Sequence, residues 1–227
     1  MTYLIKKVIF SIYLNDLKVN VMKKLVLLFV FVISTGIGNY VISQEVSSIS
    51  QSRKDNLIKL LNYRFKGGYY TFEKIFQQNI SYPPPAIAHC IMGIAIVSFR
   101  VGCEGEVYEV RIKTPLGYGI DNEISSFFTK TTGHWNTCKD EKYTKFEVPI
   151  QFKLKGTATN TDDALLILEA DNPGFLCNDD EYYIKKMKKY LKKGNNKKAL
   201  QYIQIMIHRD PYNTEYNELR KKILGGN

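Results

Sequence analysis

Two apolar stretches in the middle of the chain have the spacing of β-strands. Residues 93–101, GIAIVSFRV, are almost continuously apolar, which predicts a central strand. Residues 106–113, EVYEVRIK, alternate instead, and this pattern places Tyr108, Val110 and Ile112 on one face of a second strand. The short glycine-flanked turn between the two stretches indicates a hairpin.

Apolar residues recur at helical spacing before and after this hairpin. They are Phe72, Ile75, Phe76 and Ile80 in the first segment and Ile120, Ile124, Phe127 and Phe128 in the second. Thr71 is suited to cap the first helix, and Asp121, near the start of the second, suits the helix dipole. The pattern therefore predicts one helix on each side of the hairpin.

A third strand is predicted over residues 145–154. Its alternate residues are apolar and share one face: Phe146, Val148, Ile150, Phe152 and Leu154. Pro149 lies inside this stretch and has no N–H to donate to a neighbouring strand. The third strand is therefore predicted to lie at an edge of the sheet.

The C-terminal part has the pattern of a helical hairpin followed by one more helix. Residues 180–213 resemble one tetratricopeptide repeat, with Gly194 at the turn and Asp210 near the end. Residues 214–224 resemble the capping helix of such repeats, and a generic helical hairpin is the alternative. Because one repeat cannot bury both of its faces, it must pack on the sheet domain, on a second copy or on a partner.

Basic charge is concentrated at the two ends of the chain. The net charge is +10, of which residues 1–24 carry +4 and residues 178–227 carry +6. Residues 25–177 are neutral overall, so they have no electrostatic footprint for nucleic acid. Six lysines are interpreted as a solvated helix face, with attraction to envelope membranes left open: Lys185, Lys186, Lys188, Lys189, Lys192 and Lys193.

The N-terminal end has the layout of an export signal. Two lysines precede the apolar run of residues 25–33, LVLLFVFVI, and a more polar tract follows it. These features predict a signal peptide over residues 22–43, with residues 1–21 as an upstream extension and a periplasmic or exported product. The alternative is an inner-membrane anchor through residues 25–42, which reach about the lower length limit for crossing a bilayer.

Residues 67–154 contain a series of positions whose order and spacing match a known family. They are Gly67, Gly68, Phe72, Tyr82, Pro83, Ala86, Gly93, Val97, Phe99, Gly105, Val107, Val110, Gly119, Ile120, Asp121, Trp135, Val148, Pro149, Ile150, Phe152 and Leu154. With these residues the segment resembles the C-terminal domain of TonB, a Gram-negative energy transducer. The resemblance implies an α+β fold in which a three-stranded antiparallel sheet has helices on one face. It also implies that a short segment of an outer-membrane transporter adds as a strand at an exposed sheet edge.

The chain is accordingly divided into four predicted parts after the signal. They are a linker with a short helix over residues 44–66, a TonB-like domain over residues 67–157, a second linker over residues 158–178 and tetratricopeptide-like helices over residues 179–227. Residues 44–81 contain no proline, whereas full transducers have a long proline-rich spacer. This departure favours a binding module of the family over a complete energy transducer.

The third strand is the predicted docking site for a protein or peptide partner. Its predicted binding residues are Tyr143, Lys145, Phe146, Glu147, Val148, Pro149, Ile150, Gln151 and Phe152. Backbone N–H and C=O groups at a free edge would hold the partner strand, and alternate side chains would select it. The alternative is an envelope scaffold in which the C-terminal helices bind the partner and the sheet domain is structural or forms a homodimer.

Export changes the interpretation of the four cysteines. In an oxidising compartment they are expected to form disulfides, and their spacing does not fit a zinc site. The predicted topology returns the chain to the hairpin turn after the second helix, and it leads the chain away again along the third strand. We therefore predict the pairs Cys103–Cys138 and Cys90–Cys177.

Candidate catalytic residues do not converge in the sequence. The three histidines, His89, His134 and His208, lie in different segments and lack the spacing of metal ligands. No phosphate loop, nucleophile elbow or metal-binding motif occurs. We therefore expect no enzymatic activity, no cofactor and no metal site.

Overall fold

The structure, a computed structural model, describes residues 50–138, 143–174 and 177–225. The residues from Ser50 onward belong to one compact unit. The predictions for residues 1–49, namely the upstream extension, the signal peptide and the alternative anchor, lie outside the described residues. No helix in the described ranges is long and apolar enough to cross a membrane.

The central element is a mixed four-stranded sheet. Its strands are β1 (Gly93–Gly102), β2 (Val107–Ile112), β3 (Tyr143–Leu154) and β4 (Leu166–Ala170), in the order β2-β1-β3-β4. β1 is antiparallel to β2 and β3, whereas β4 runs parallel to β3. The α+β class is confirmed, but the prediction of a three-stranded, fully antiparallel sheet is wrong. The fourth strand lies within residues 158–178, which were predicted as a linker.

Helices precede, divide and follow the strands. Those in the described residues are α1 (residues 50–64), α2 (Gly68–Asn79), α3 (Pro84–Ala88), α4 (Ile120–Lys130), α5 (Asp180–Lys192), α6 (Asn196–Arg209) and α7 (Thr214–Leu224). The last three begin at polar caps, because the side chains of Asp179, Asn195 and Asn213 accept backbone N–H groups of the first turns. α2 and α4 lie where the apolar spacing predicts helices.

One face of the sheet shares an aromatic core with α1, α2 and α4. Phe99 of β1 and Phe146 of β3 stack with ring centroids 5.1 Å apart, and Trp135 also lies 5.1 Å from Phe146. The Trp135 indole N–H donates to Thr131 Oγ1 at 3.1 Å, so its polar group is satisfied inside the core. The alternate apolar residues of β3 are all fully buried, as their spacing predicts.

The opposite face of β1 is covered as well. Ile94 and Ile96 alternate with the core residues of β1 and so point to the other side, yet they are only 0% and 5% exposed. α6 contacts β1, and a Cβ added at Gly93 would lie 2.5 Å from the backbone oxygen of His208. The C-terminal helices therefore pack on the sheet, which decides between the three options left open by the sequence. The helices α1, α2 and α4 share the face with the aromatic core, and the C-terminal helices cover the opposite face.

A buried arginine joins α6 to the start of α5. The Arg209 side chain donates from Nη1 to Asp180 Oδ1 at 2.6 Å and from Nη2 to the backbone oxygen of Asn178 at 2.9 Å. Its guanidinium carbon also lies 4.4 Å from the centroid of the Tyr183 ring. Because Arg209 is only 4% exposed, these charge-assisted bonds replace the water that it loses on burial.

Two disulfide bonds cross-link the chain. One joins Cys90, which follows α3, to Cys177, which precedes α5, and the other joins Cys103 to Cys138. These are the two pairs that the predicted topology favours. The first bond connects the C-terminal helices covalently to the sheet domain.

Gly93→Ala is expected to destabilise the protein because a methyl group there would collide with the His208 carbonyl. Overpacking of this kind costs about 1–3 kcal/mol in free energy of unfolding. Gly117→Ala is the matched control, since Gly117 also has a positive φ but nothing within 4 Å of its added Cβ. Urea denaturation should show a larger loss for Gly93→Ala, and equal losses would contradict the close packing of α6 on β1.

Removal of either disulfide is expected to lower the free energy of unfolding substantially. The Cys90–Cys177 bond spans 87 residues and the Cys103–Cys138 bond spans 35. In the chain-entropy model, loops of these lengths correspond to about 4.6 and about 3.8 kcal/mol. The double variants Cys90→Ala/Cys177→Ala and Cys103→Ala/Cys138→Ala can be compared by urea denaturation. Unchanged midpoints in both variants would show that neither bond constrains the unfolded chain.

Candidate partner-binding edge

The outer side of β3 is divided into a covered half and an open half. β1 pairs with β3 on the inner side from Tyr143 to Phe152. β4 pairs with β3 on the outer side only from Ile150 to Leu154. Residues 143–148 therefore have no strand on their outer side among the described residues. We call this half the open edge.

The backbone groups of Lys145 and Glu147 point outward at the open edge. Leu165 N–H donates to the Pro149 oxygen at 2.9 Å, so Pro149 faces the outer side, toward β4. Alternate residues of a strand face the same side, and Lys145 and Glu147 therefore also face outward. Within the described parts of the chain, no hydrogen bond to the backbone N–H or C=O of Lys145 or Glu147 is present. These groups can accept another strand.

The other half of the predicted docking strand is enclosed. Ile150 and Phe152 are fully buried in the aromatic core. Gln151 is also fully buried, its backbone is in register with Ile167 of β4, and its Nε2 donates to the Phe152 oxygen at 3.0 Å. The docking prediction is thus corrected to the first half of β3, because β4 already occupies the second half.

An exposed group of side chains lies beside the open edge, on the sheet face opposite the aromatic core. The Arg100 guanidinium carbon lies 4.4 Å from the centroid of the Tyr143 ring, and the Tyr108 ring centroid is 6.4 Å from that of Tyr143. Arg100 also forms an ion pair with Glu109 at 3.0 Å. Tyr143 is 38% exposed, so this half of the face offers an aromatic surface to a partner.

A bulge in β2 places Tyr108 in this group. The register with β1 shifts between Ser98 and Arg100, and Glu109 has a positive φ of 53°. One extra residue reverses the alternation, so Tyr108 pairs with Arg100 and leaves the face that Val110 and Ile112 share. The prediction that all three residues face one way is therefore wrong for Tyr108.

The outer edges of β2 and β4 are poorer templates. The bulge at Glu109 interrupts β2, and Thr132 Oγ1 accepts the N–H of Val107 at 3.4 Å. β4 has only five residues, and α2 reaches it through Gln77, whose Nε2 donates to the Ile167 oxygen at 2.8 Å. The open edge of β3 spans residues 143–148, and the pairing of β3 with β1 there has no register shift.

Buried Arg64 fixes the start of the open edge. Its Nη1 donates to Thr144 Oγ1 at 2.9 Å and its Nη2 donates to the Gly102 oxygen at 2.7 Å, so α1 holds the ends of β1 and β3 together. The sequence offers no signal for this role, because arginine is rarely fully buried. The Cys103–Cys138 disulfide reinforces the same end, and Cys138 N–H donates to the Cys103 oxygen at 3.0 Å.

Contacts with α1 also place the segment before β4. Ser50 Oγ donates to the Asp162 oxygen at 2.8 Å, and Arg53 forms an ion pair with Asp163 at 2.7 Å. The Arg53 guanidinium carbon lies 3.9 Å from the centroid of the Tyr212 ring. Burial raises the pKa of Tyr212 to about 12, although the positive charge of Arg53 opposes the rise. These contacts fix the segment that leads into β4. They therefore hold β4 against the second half of β3.

The family positions outside β3 support the fold and do not line the open edge. Tyr82 is buried, its hydroxyl donates to the Ile91 oxygen, and burial raises the pKa of Tyr82. Pro83 is the N-cap residue of α3. The Asp121 carboxylate accepts the backbone N–H groups of Leu116 and Gly117, each at 3.0 Å.

Three further family positions also support the fold through packing: Gly93, Gly105 and Trp135. An added Cβ at Gly105 would lie 2.8 Å from the Trp135 oxygen, so the hairpin turn has room only for glycine. Trp135 itself is 1% exposed.

Two of the three histidines line one cavity. His89 and His208 lie with Cys90 and Arg209 around a cavity of about 300 Å³, whereas the His134 ring stacks near Phe65 with centroids 6.2 Å apart. Across the described ranges, no group of three or more His, Cys, Asp or Glu side chains could hold a metal ion. The absence of enzymatic activity remains a prediction.

Comparison with known proteins shows a weak structural likeness. No family model matches the chain, and no curated protein matches it. A solved structure, the NMR solution structure of the Helicobacter pylori TonB C-terminal domain, is similar with 18% identity and a TM-score of 0.30. The match covers 36% of this chain and 88% of that chain. A likeness this weak does not establish a shared fold or function, and the comparisons do not support the tetratricopeptide interpretation.

Hydrogen exchange should distinguish the two sides of β3. The amides of Lys145 and Glu147 face outward, whereas those of Phe146 and Val148 face β1. We expect Lys145 and Glu147 to exchange at least ~100-fold faster, because this ratio corresponds to ~3 kcal/mol of protection from the β1 ladder. Residue-resolved NMR exchange would measure it. Equal protection of all four amides would contradict the open edge.

Proposed function

We propose that the protein binds an extended segment of a partner protein by strand addition at the open edge of β3. The observation that carries this proposal is the outward orientation of the Lys145 and Glu147 backbone groups, which lack a described partner. Such groups give affinity to any strand that aligns with them, and the neighbouring side chains give selectivity.

The size of the open edge sets the expected strength of binding. Lys145 and Glu147 offer four backbone groups, and each hydrogen bond contributes about 1 kcal/mol net. Four such bonds correspond to a dissociation constant of about 1 mM. Useful affinity therefore requires side-chain contacts, and Tyr143, Tyr108 and Arg100 supply the residue types that dominate such contacts.

We propose further that the partner is an envelope protein, such as a segment of an outer-membrane transporter, and that the protein acts in the periplasm. The resemblance of residues 67–154 to the TonB C-terminal domain suggests this partner class. The two disulfides support an oxidising compartment.

Site-specific photo-crosslinking can find the partner segment. A photoreactive residue is placed at Lys145 in cells, with Lys59, an exposed residue of α1, as the control position. The proposal expects one extended partner segment to cross-link from Lys145 and not from Lys59. Cross-linking of that segment from Ile167 alone would instead place the partner on β4.

The pair Lys145→Pro and Lys145→Ala then tests the mode of binding with a synthetic peptide of the cross-linked segment. Proline removes the outward N–H and obstructs the edge, so we expect at least ~10-fold weaker binding, whereas alanine keeps the N–H and should bind like the parent. The outward orientation lets proline spare the β1 ladder, as Pro149 already does. Proline at Gln151 would break the pairing of β3 with β4. That variant would therefore report on the stability of the fold and not on peptide binding. Unchanged peptide binding by a folded Lys145→Pro protein would contradict strand addition.

A further inference from the structure

Eight lysines lie on α5, at its C-cap and in the first turn of α6. We call this group the lysine face; its members are Lys185, Lys186, Lys188, Lys189, Lys192, Lys193, Lys197 and Lys198. All are exposed except Lys186, which is half-buried. Residues 182–209 contain no Asp or Glu in 28 positions. Solvated helices usually mix both signs, so this segment departs from an ordinary surface.

The local electrostatics of the helices do not account for the lysine face. Lys189 and Lys192 suit the negative end of the α5 dipole. Lys197 and Lys198, however, lie in the first turn of α6, where the dipole disfavours cations and no acidic residue is present. Lys185 and Lys189 are also four residues apart on one helix face, where like charges destabilise a helix. The lysine face therefore exists at a cost to helix stability.

No member of this surface forms an ion pair within the described ranges. The ion pairs there involve other basic residues. Lys185 and Lys189 are four residues apart, which is about 6 Å along a helix. This distance is shorter than the Debye length of about 8 Å at physiological ionic strength, so the potentials of neighbouring lysines add.

We propose that the lysine face binds the surface of an anionic phospholipid bilayer. The face contains lysine and no arginine, and lysine acts as a hydrated point charge without the planar fork that recognises single phosphates in two-point fashion. That chemistry suits diffuse attraction to a continuous anionic surface. Tyr182 lies among these lysines, 36% exposed, with the Lys186 ammonium 5.1 Å from its ring centroid. A tyrosine ring in this position suits the headgroup region of a bilayer.

The orientation of α5 leaves the lysine face free for this role. Met187, on the opposite side of α5, is buried, and Ala199 and Ile203 of α6 are fully buried. α5 contacts α6, and α6 in turn contacts β1. The apolar side of α5 thus completes the helical layer while its lysines point away from it.

Vesicle co-sedimentation tests the proposal with a matched pair of variants. The protein used begins at Gln44, which omits the apolar residues 25–42 and keeps the whole compact unit with both disulfides. One variant carries Lys185→Gln, Lys189→Gln and Lys192→Gln. The control carries Lys59→Gln, Lys74→Gln and Lys130→Gln, which remove the same charge from exposed positions elsewhere. Glutamine has nearly the helix propensity of lysine, so both variants should fold.

The expected result is binding of the parent to phosphatidylcholine vesicles that contain phosphatidylglycerol, and none to phosphatidylcholine alone. The lysine-face variant should partition about 100-fold less, because each lysine near an anionic bilayer contributes about a factor of five. The control variant should lose far less. About 1 M salt, where the Debye length falls to about 3 Å, should release the parent.

Three results would overturn the proposal. They are equal binding to both vesicle types, equal losses in the two variants, and parental partitioning of a lysine-face variant that circular dichroism shows to be folded. Retention of a DNA duplex by the parent without binding to anionic vesicles would likewise overturn it in favour of a nucleic-acid surface. The peptide-binding experiment at Lys145 is independent of all these outcomes.

Discussion

Burial of β1 on both of its faces is the constraint on which the rest of the structure depends. A strand that is apolar on both sides must be covered on both sides, because each exposed Å² of apolar surface costs about 25 cal/mol. α1, α2 and α4 cover one face, and α6 approaches the other so closely at Gly93 that no side chain fits there. The C-terminal helices are therefore part of the core architecture. The Cys90–Cys177 bond and the buried Arg209 hold them in place.

The outer side of β3 is only partly open, because β4 covers one end of it. Near the packed C-terminal helices, β4 pairs with β3 and completes the sheet. At the far end, the sheet face carries Arg100, Tyr143 and Lys145, which remain partly or fully exposed. A free edge risks uncontrolled pairing, and the charged side chains of Lys145 and Glu147 together with the short length of the open edge limit that risk. In the proposed mode of binding, the same charged side chains would also select the partner strand.

Periodicity predicts most of the fold because it reflects burial, and it fails where burial has another cause. The helical spacing around Phe72 and Ile124 and the alternation of β3 all appear in the structure. β4 was missed because five residues carry little periodic signal, although the run from Leu165 to Leu168 is apolar. Tyr108 lies on the opposite sheet face from the predicted one because of a bulge in β2. The role of Arg64 depends on tertiary contacts. Neither feature has a local sequence pattern. The docking strand could be predicted only as a whole. Its division into a covered half and the open edge requires knowledge of β4.

The two proposed surfaces would bind through different interactions, and they differ in net charge. At the open edge, Arg100 pairs with Glu109 and Glu147 pairs with Lys113, so its side chains are largely balanced. Binding there would depend on directional hydrogen bonds, which salt affects weakly. The lysine face has no such balance, and its attraction would reach over a Debye length and fall with salt. α5 contacts α6, and α6 in turn contacts β1. The unneutralised charge of the lysine face therefore lies on a different element from the neutral pairing that strand addition needs.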